Sequence, residues 1–466
     1  MPFVFYDFET SGLSPEFDQV LQVAAVKTDD QFKELDTFSL RCRLASHIVP
    51  SPGALLANRI GPSMLTDAGL PSYYEALTTI QAKFVEWSPA IFIGYNSIDF
   101  DEMFLRQGFF QTLQPIYLTN TGGNARGDLL RVMHATAIYA PSVITVPRNE
   151  SGDPTYKLDQ IAPANGYGSG GHHEAMGDVR ATLFLANLVK KRAGAIWEHM
   201  VRWTRKRSVS DFMTQEDAVW HSGIFQHNKA YSWLIAYCGQ NAERDSQLAG
   251  VDLQFDPKEV IGLSVEELVK VLNSNPKKIR AVATNRQPIL MPRQIVPADG
   301  TRPKVSDREI QARVALVQRN PDFQQRVSKA LAGRFAEAEP SQFVEQRIYG
   351  GFSTPADEKV MEAFHSTSWD ERMRLVESLE DERARELGQR LIYLEQPEVL
   401  PKSLRKQHDK WLKDRILNSD PEVPWMTLPK ALEEVGRLLA DSTESEEKKF
   451  LKDVKTFLGD VRRRFE

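Results

Sequence analysis

The alternation of strand-like and helix-like segments through the first 190 or so residues constrains this chain more than any other feature. Short runs rich in β-branched and aromatic residues fall at Pro2–Phe8, Val20–Lys27, Asp36–Leu44 and Ala90–Tyr95. Helical patterns fall at Tyr73–Trp87, from Asp101 onward, and at Asp128–Tyr139, Lys157–Ala162 and Glu174–Lys191. The last of these carries Ala175, Val179, Leu183, Ala186 and Val189 on one apolar stripe. Strands interleaved with helices in this way predict an α/β domain over residues 1–192.

Beyond Ala193 the character changes, and a chain of 466 residues is long enough for more than one core. Residues 193–348 mix basic and aromatic side chains with strand-like pieces at Ala249–Gln254, Arg280–Thr284 and Pro288–Met291, which predicts a small β-rich domain. Helices are expected to be appended to it near Asp307–Val317 and Pro321–Ala332. Gly350-Gly351 is a good break, and residues 349–466 are dense in Glu, Leu, Arg and Lys with helical periodicity. Ala356–His365, Trp369–Leu379, Asp381–Leu394 and Lys430–Leu439 show it best, so this part is expected to be all-helical.

Charge and cysteine usage exclude several function classes. A formal net charge of -5 does not suit a protein that coats nucleic acid through overall positive charge, so any nucleic-acid contact has to be local. No apolar stretch approaches the roughly 18 residues that a bilayer demands, and the strand-like start has no leader-peptide pattern. The expectation is therefore no membrane contact. Cys42 and Cys238 stand far apart without metal-ligand spacing, which fits a reducing compartment, taken here as the cytoplasm.

Three short segments carry chemistry. Asp7 and Glu9 lie two apart in a strand, so both carboxylates project from the same face and offer hard oxygen ligands. An isolated pair of this kind is more often a solvated strand end. The second segment is Gly94-Tyr95-Asn96, closing a strand, with Phe100-Asp101-Glu102 opening a helix near the sheet edge where open α/β folds bind ligands. The third is His173 followed by Asp178, a loop histidine five positions before a helix-borne acid, preceded by Gly168-Ser169-Gly170-Gly171.

Taken together, Asp7-x-Glu9, Asn96 to Phe100-Asp101 and His173-x4-Asp178 resemble the three motifs of the DEDD 3′→5′ exonucleases, in the subclass whose last motif carries histidine. Further segments resemble the bacterial exodeoxyribonuclease I family over nearly the whole chain: Arg205-Lys206-Arg207, Val251-Asp252-Leu253, Asn285-Arg286-Gln287-Pro288 and Ile348-Tyr349-Gly350-Gly351-Phe352. The resemblance implies a ribonuclease H-like exonuclease domain, an SH3-like middle domain and a helical C-terminal domain surrounding a groove for one strand. It also implies processive release of 5′-mononucleotides from single-stranded DNA in repair and recombination.

The family motifs select Asp101 over Asp99, because the acid follows Phe directly, and His173 over His172, because four residues separate it from the final Asp. The resemblance makes Asp7, Glu9 and Asp178 ligands of two Mg²⁺ ions, with Mn²⁺ able to substitute. Asp101 ligates or orients through water, and His173 is the general base. As strand contacts it offers Glu9, Arg106, Tyr117, Lys157, His199, Lys206, Asn285 and Arg286, with the Trp203–Arg207 run combining a stacking surface and positive charge. As a partner it implies the acidic C-terminal tail of single-stranded-DNA-binding protein, engaged by a monomer. Two other functions fit less well: an RNA 3′-exonuclease on the same fold, and a non-catalytic single-strand-binding protein. The long C-terminal part weighs against the first and the five filled catalytic positions against the second.

Overall fold

A computed structural model of the chain describes residues 1–168, 175–301, 303–335 and 339–465. His172 and His173 lie outside the described residues.

The first sheet contains β1 (Phe3–Thr10), β2 (Val20–Thr28), β3 (Glu34–Arg41), β4 (Ile91–Gly94) and β5 (Ala125–Asp128), in the order β3-β2-β1-β4-β5. β1, β2 and β3 pair antiparallel, while β1, β4 and β5 run parallel. Alternation along β1 sorts its side chains into two cores. Phe3 and Phe5 join Val179, Leu185 and Val189 of the Ala175–Arg192 helix, and Val4, Tyr6 and Phe8 join Phe104, Leu105 and Phe109 of the Asp101–Gln111 helix. Asp7 and Glu9 continue the odd-numbered face, and so are directed to the side of the sheet that the Ala175–Arg192 helix covers.

The second sheet contains β6 (Val219–Phe225), β7 (Lys229–Gln240), β8 (Gln247–Asp252), β9 (Ile279–Ala283) and β10 (Ile289–Pro292), antiparallel throughout and ordered β10-β6-β7-β8-β9. β6 and β7, which with β8 form the centre of this sheet, carry Trp, His, Ser, Gly and Tyr, and the sequence pattern marks neither as a strand. Cross-strand pairing overrides that weak local signal. The helices at Asp307–Gln318 and Pro321–Ala332 pack on this sheet through Val314, Val317, Phe323 and Val327.

Gln287 locks the two sheets together. Its Oε1 accepts from the Asp128 N–H at 2.7 Å and its Nε2 donates to the Met200 carbonyl at 2.9 Å, while Arg126 donates to the Asn285 carbonyl at 3.1 Å. The C-terminal part is helical, from Pro355–Ser366 to Ser445–Phe465, and packs on the first domain at two places. Tyr74 and Leu113 join Phe364, Val376 and Leu391 at one, and Leu21 and Leu55 join Val435, Val454 and Leu458 at the other. No helix among the described residues is long and apolar enough to cross a membrane.

Candidate active site

The parallel strands β1, β4 and β5 deliver their C-terminal ends to one edge of the first sheet, and the candidate catalytic acids gather there. At the end of β4 the chain turns sharply: a Cβ on Gly94 would stand 2.6 Å from the Ser97 Cβ and 2.9 Å from the Tyr6 carbonyl oxygen, so no side chain fits. Asn96 follows with φ +62°, a left-handed conformation that asparagine tolerates better than most residues. The turn is held by Asp128, at the end of β5, whose carboxylate accepts from the N–H groups of Asn96 at 2.8 Å, Ile98 at 3.3 Å and Leu130 at 3.0 Å. Asp128 is thus both the cap of the Leu129–Tyr139 helix and the brace of the segment leading to Asp101. The motif reading of the sequence misses it. The only signal was an acid immediately before a helical run.

Asp101 is buried at the start of the Asp101–Gln111 helix and accepts from the Phe8 N–H at 2.9 Å. That bond fixes it against the strand segment between Asp7 and Glu9. Asp7, Glu9 and Asp178 each present a carboxylate oxygen, and the three oxygens lie within 4.8 Å of one another. Burial and like charge act together here. Asp7 is pushed well above the usual carboxylate range, first by burial and then by Asp101, Glu9 and Asp178, so that every charge moving it is negative. Burial raises Glu9 to about 7, Asp178 adds to this, and Arg41 offsets part of it. Asp101 is also raised to about 7 by burial, against the opposing bonds from the backbone N–H groups of Phe8 and Asp101.

Such a cluster fits a divalent cation. The donors are all hard oxygens, three of them close enough to share ions, and the protons that burial forces on them near neutrality are what a bound cation would displace. Glu102, the next residue after Asp101, has a different fate: its buried carboxylate accepts from Arg106 at 2.7 Å, Arg126 at 3.2 Å and Thr119 at 2.7 Å. It is neutralised internally.

A cleft of about 590 Å³ adjoins the cluster, lined by Asp178, Lys157, Asn96 and Asn228, with Tyr95, Tyr156, His134 and Leu130 supplying its apolar surface. Burial lowers His134 to about 4, so it is a neutral ring that meets Tyr156 edge-on at 4.6 Å. Of the expected strand contacts, Lys157 is exposed in this cleft.

Glu9 stands in the carboxylate cluster itself, and the others lie elsewhere. Arg106 is buried, bound to Glu102 and to Asn120 at 2.7 Å, and sits 4.9 Å from the Tyr117 ring. Tyr117 is half-buried and faces a second cavity beside Phe352 and Arg383. His199 stacks on Trp203 with centroids 6.0 Å apart. Lys206 pairs with Asp245, and Arg286 pairs with Asp99 at 3.2 Å, while Asn285 is exposed. Asp99 also takes Arg131 at 2.7 Å, so it faces outward as Asp101 faces the cluster. The expected stacking surface at Trp203 is corrected: the ring is 0% exposed, its Nε1 donating to the Leu290 carbonyl at 2.8 Å, because the core between the two sheets claims it.

Comparison with known proteins adds three family models that together span most of the chain. An exonuclease model matches residues 4–186, an exonuclease I SH3-like domain residues 204–333, and an exonuclease I C-terminal domain residues 342–461. Exodeoxyribonuclease I of Escherichia coli is 27% identical over 381 residues, 77% of this chain and 78% of its own length. That of Haemophilus influenzae is 24% identical over 83% of this chain and 84% of its own length. Among solved structures, exonuclease I from Methylocaldum szegediense superposes with a TM-score of 0.85 at 22% identity, covering 99% of both chains. Exonuclease I of E. coli in complex with a dA16 oligonucleotide superposes with a TM-score of 0.84 at 23% identity, again over 99% of each.

Proposed function

The chain belongs to the exonuclease I family, and we propose that it hydrolyses single-stranded DNA from the 3′ end, releasing 5′-mononucleotides at the Asp7, Glu9 and Asp178 cluster. The observation that carries this reading is the convergence of three carboxylates beside an open cleft, in an exonuclease domain followed by both accessory domains of exonuclease I. Relatives bearing the name exodeoxyribonuclease I match most of the chain, and a solved relative binds a DNA oligonucleotide.

Asp7, Glu9 and Asp178 would hold two divalent ions, Mg²⁺ by preference and Mn²⁺ as a substitute, since both favour carboxylate oxygens. When bound, the ions would relieve charge on the phosphoryl and departing 3′-oxygens and acidify the attacking water. Asp101, pinned by the Phe8 N–H, holds the strand end in register and orients the ligands beside it. His173 takes the proton from the attacking water, a role open to imidazole because its neutral form is available near pH 7. Lys157 offers a point charge to the strand's phosphate at the cleft, and Tyr95 and Tyr156 offer apolar surface to the terminal nucleoside.

Farther along the strand, Lys206 and Arg286 would exchange their exposed carboxylate partners for phosphates, an exchange that costs little because exposed ion pairs are weak. Tyr117, His199 and Asn285 extend the same path, with Arg106 positioning Tyr117 from beneath. A strand enclosed by three domains slides before it leaves, which supports processivity. The same reading has a monomer acting in the cytoplasm and binding the acidic tail of single-stranded-DNA-binding protein. The buried free thiols of Cys42 and Cys238 suit a reducing compartment.

The test incubates 5′-labelled single-stranded DNA, duplex DNA and matching RNA with Mg²⁺ and wild-type, Asp178→Ala, His173→Ala or His172→Ala protein. Shortening of single-stranded DNA alone, lost with Asp178→Ala and His173→Ala and kept with His172→Ala, is expected. Wild type that binds the strand without cutting it, or that prefers RNA, overturns the reading.

A further inference from the structure

The second sheet carries an aromatic stripe that the catalytic reading does not use. Phe225 ends β6, while Tyr231 and Trp233 lie two apart near the start of β7, on one face. Phe225 is 54% exposed and Tyr231 41% exposed, unusual for rings that could have been buried. Tyr231 and Trp233 lie nearly parallel, 9° apart with centroids at 6.0 Å, and Phe225 contacts both, at 6.0 and 5.9 Å. At the inner end the Arg280 guanidinium sits 3.6 Å from the Trp233 centroid and is held there by Asp252 at 3.1 Å. Gly223, opposite Tyr231, leaves the space in which the Phe225 ring lies: a Cβ there would stand 2.7 Å from it.

The stripe is continuous with the cleft. The turn between β6 and β7, Gln226–Asn228, has Asn228 in the cleft wall. It is fastened to the 149–155 segment of that wall by the Asn228 Nδ2 bond to the Pro154 carbonyl at 2.7 Å and the His227 contact with Asp153 at 3.0 Å. Lys229, exposed and paired across the hairpin with Phe225, adds a positive charge between the cleft and the rings.

We propose that Phe225, Tyr231 and Trp233 form a base-stacking subsite for the single strand where it leaves the cleft, with Lys229 and Arg280 as its cationic contribution. The inference rests on the proposed nuclease reading and specifies how the strand is held upstream of the cut. Two exposed rings beside a half-buried one, with flanking cations, suit unpaired bases, because every base has a π-face and stacking is indifferent to sequence. A duplex, whose bases are already stacked, has nothing to offer such a stripe.

The experiment measures binding by fluorescence anisotropy in EDTA, which separates binding from turnover. The probes are a labelled dT16 strand and an abasic strand of equal length and charge, and the proteins are wild type, Tyr231→Ala, Phe225→Ala and Tyr231→Phe. Wild type should prefer the base-bearing strand, and Tyr231→Ala and Phe225→Ala should each reduce that preference on the order of tenfold, the lower range for one lost stacked base. Tyr231→Phe should retain it, which a folding defect would not allow. An unchanged preference in the alanine variants, or equal weakening on both strands, overturns the subsite. Wild type that cuts no DNA but shows the preference, lost in Tyr231→Ala, leaves the subsite standing and removes the nuclease reading.

Discussion

Two kinds of buried carboxylate coexist in this molecule, and their contrast separates acids that build the fold from acids that serve a site. Glu102 is clamped by Arg106 and Arg126, and Glu345 by Arg390 at 2.9 Å and Arg415 at 3.2 Å, the latter joining the helical domain internally. Each meets its opposite charge inside the protein. Asp7 instead meets Asp101, Glu9 and Asp178, so its environment improves only if a cation comes from outside. The first kind is an anchor and the second is a socket.

The largest effect that could break this contrast is on turnover. Asp7→Asn keeps the shape of the side chain and removes its charge, and should lower the rate of single-strand degradation on the order of a thousandfold. In EDTA at pH 8 the same variant should melt no lower than wild type, since it relieves repulsion. Differential scanning fluorimetry beside a gel assay checks both halves. A destabilised Asp7→Asn protein would place Asp7 among the anchors.

Glu345→Ala should do the reverse. Removing it leaves Arg415 buried without its ion-pair partner and Arg390 with Glu386 alone, and breaking a buried pair in this way costs roughly 3–5 kcal/mol. Urea denaturation should show that loss, while the folded fraction cuts DNA at the wild-type rate per molecule. Loss of turnover without loss of stability would mean that Glu345 reaches the chemistry.

The socket was legible in the sequence and the anchors were not, for a physical reason. Asp7 and Glu9 declare a shared face through strand periodicity, and Asp101 and Asp178 stand at helix starts that local pattern finds. Glu345 meets Arg415 across 70 positions of chain, and Glu102 meets Arg126 across 24, distances over which no local rule operates; only the Glu102–Arg106 pair, four apart on one helix, is local. Asp128 was missed likewise, since its role is to hold Asn96 and Ile98 from a neighbouring strand. Trp203 misled because a Trp-Thr-Arg-Lys-Arg run has the composition of a binding surface, whereas the ring is core and only the cations are outside. β6 and β7 escaped because their alternation is diluted by Gly223, Ser222 and Ser232, which a sheet accepts once pairing is fixed.

A pH series sharpens the contrast. Glu9 and Asp101 are held near 7 when folded, above their ordinary values near 4. Protonation therefore favours the folded state, a contribution fully present below pH 4 and lost as pH rises through 7. The metal-free protein should lose stability from these groups between about pH 4 and 7, and the upward melting shift on adding Mg²⁺ should grow over the same interval. Asp7→Asn should flatten the Mg²⁺ response. A shift independent of pH would mean that the ion does not compete with protons at this cluster.

The smallest expected effect tests the finest distinction, between Asp99 and Asp101. Two positions apart, they differ in burial and in partners. Asp99 is exposed, with Arg131 at 2.7 Å and Arg286 at 3.2 Å, whereas Asp101 is buried with the Phe8 N–H at 2.9 Å. Exposed pairs contribute about 0–1 kcal/mol and fade with salt, so Asp99→Asn should shift the urea midpoint by no more than that, and less at 0.5 M NaCl. Its one functional consequence should come through Arg286, which loses a competitor for phosphate: affinity for single-stranded DNA at low salt should rise slightly, with turnover unchanged. Asp101→Asn leaves the Phe8 bond possible through the amide oxygen but removes the charge, so turnover should fall with no gain in affinity. If Asp99→Asn instead silenced the enzyme, the outward-facing acid would be the catalytic one, and the division between anchors and sockets would need redrawing at the point where the chain places both within one turn.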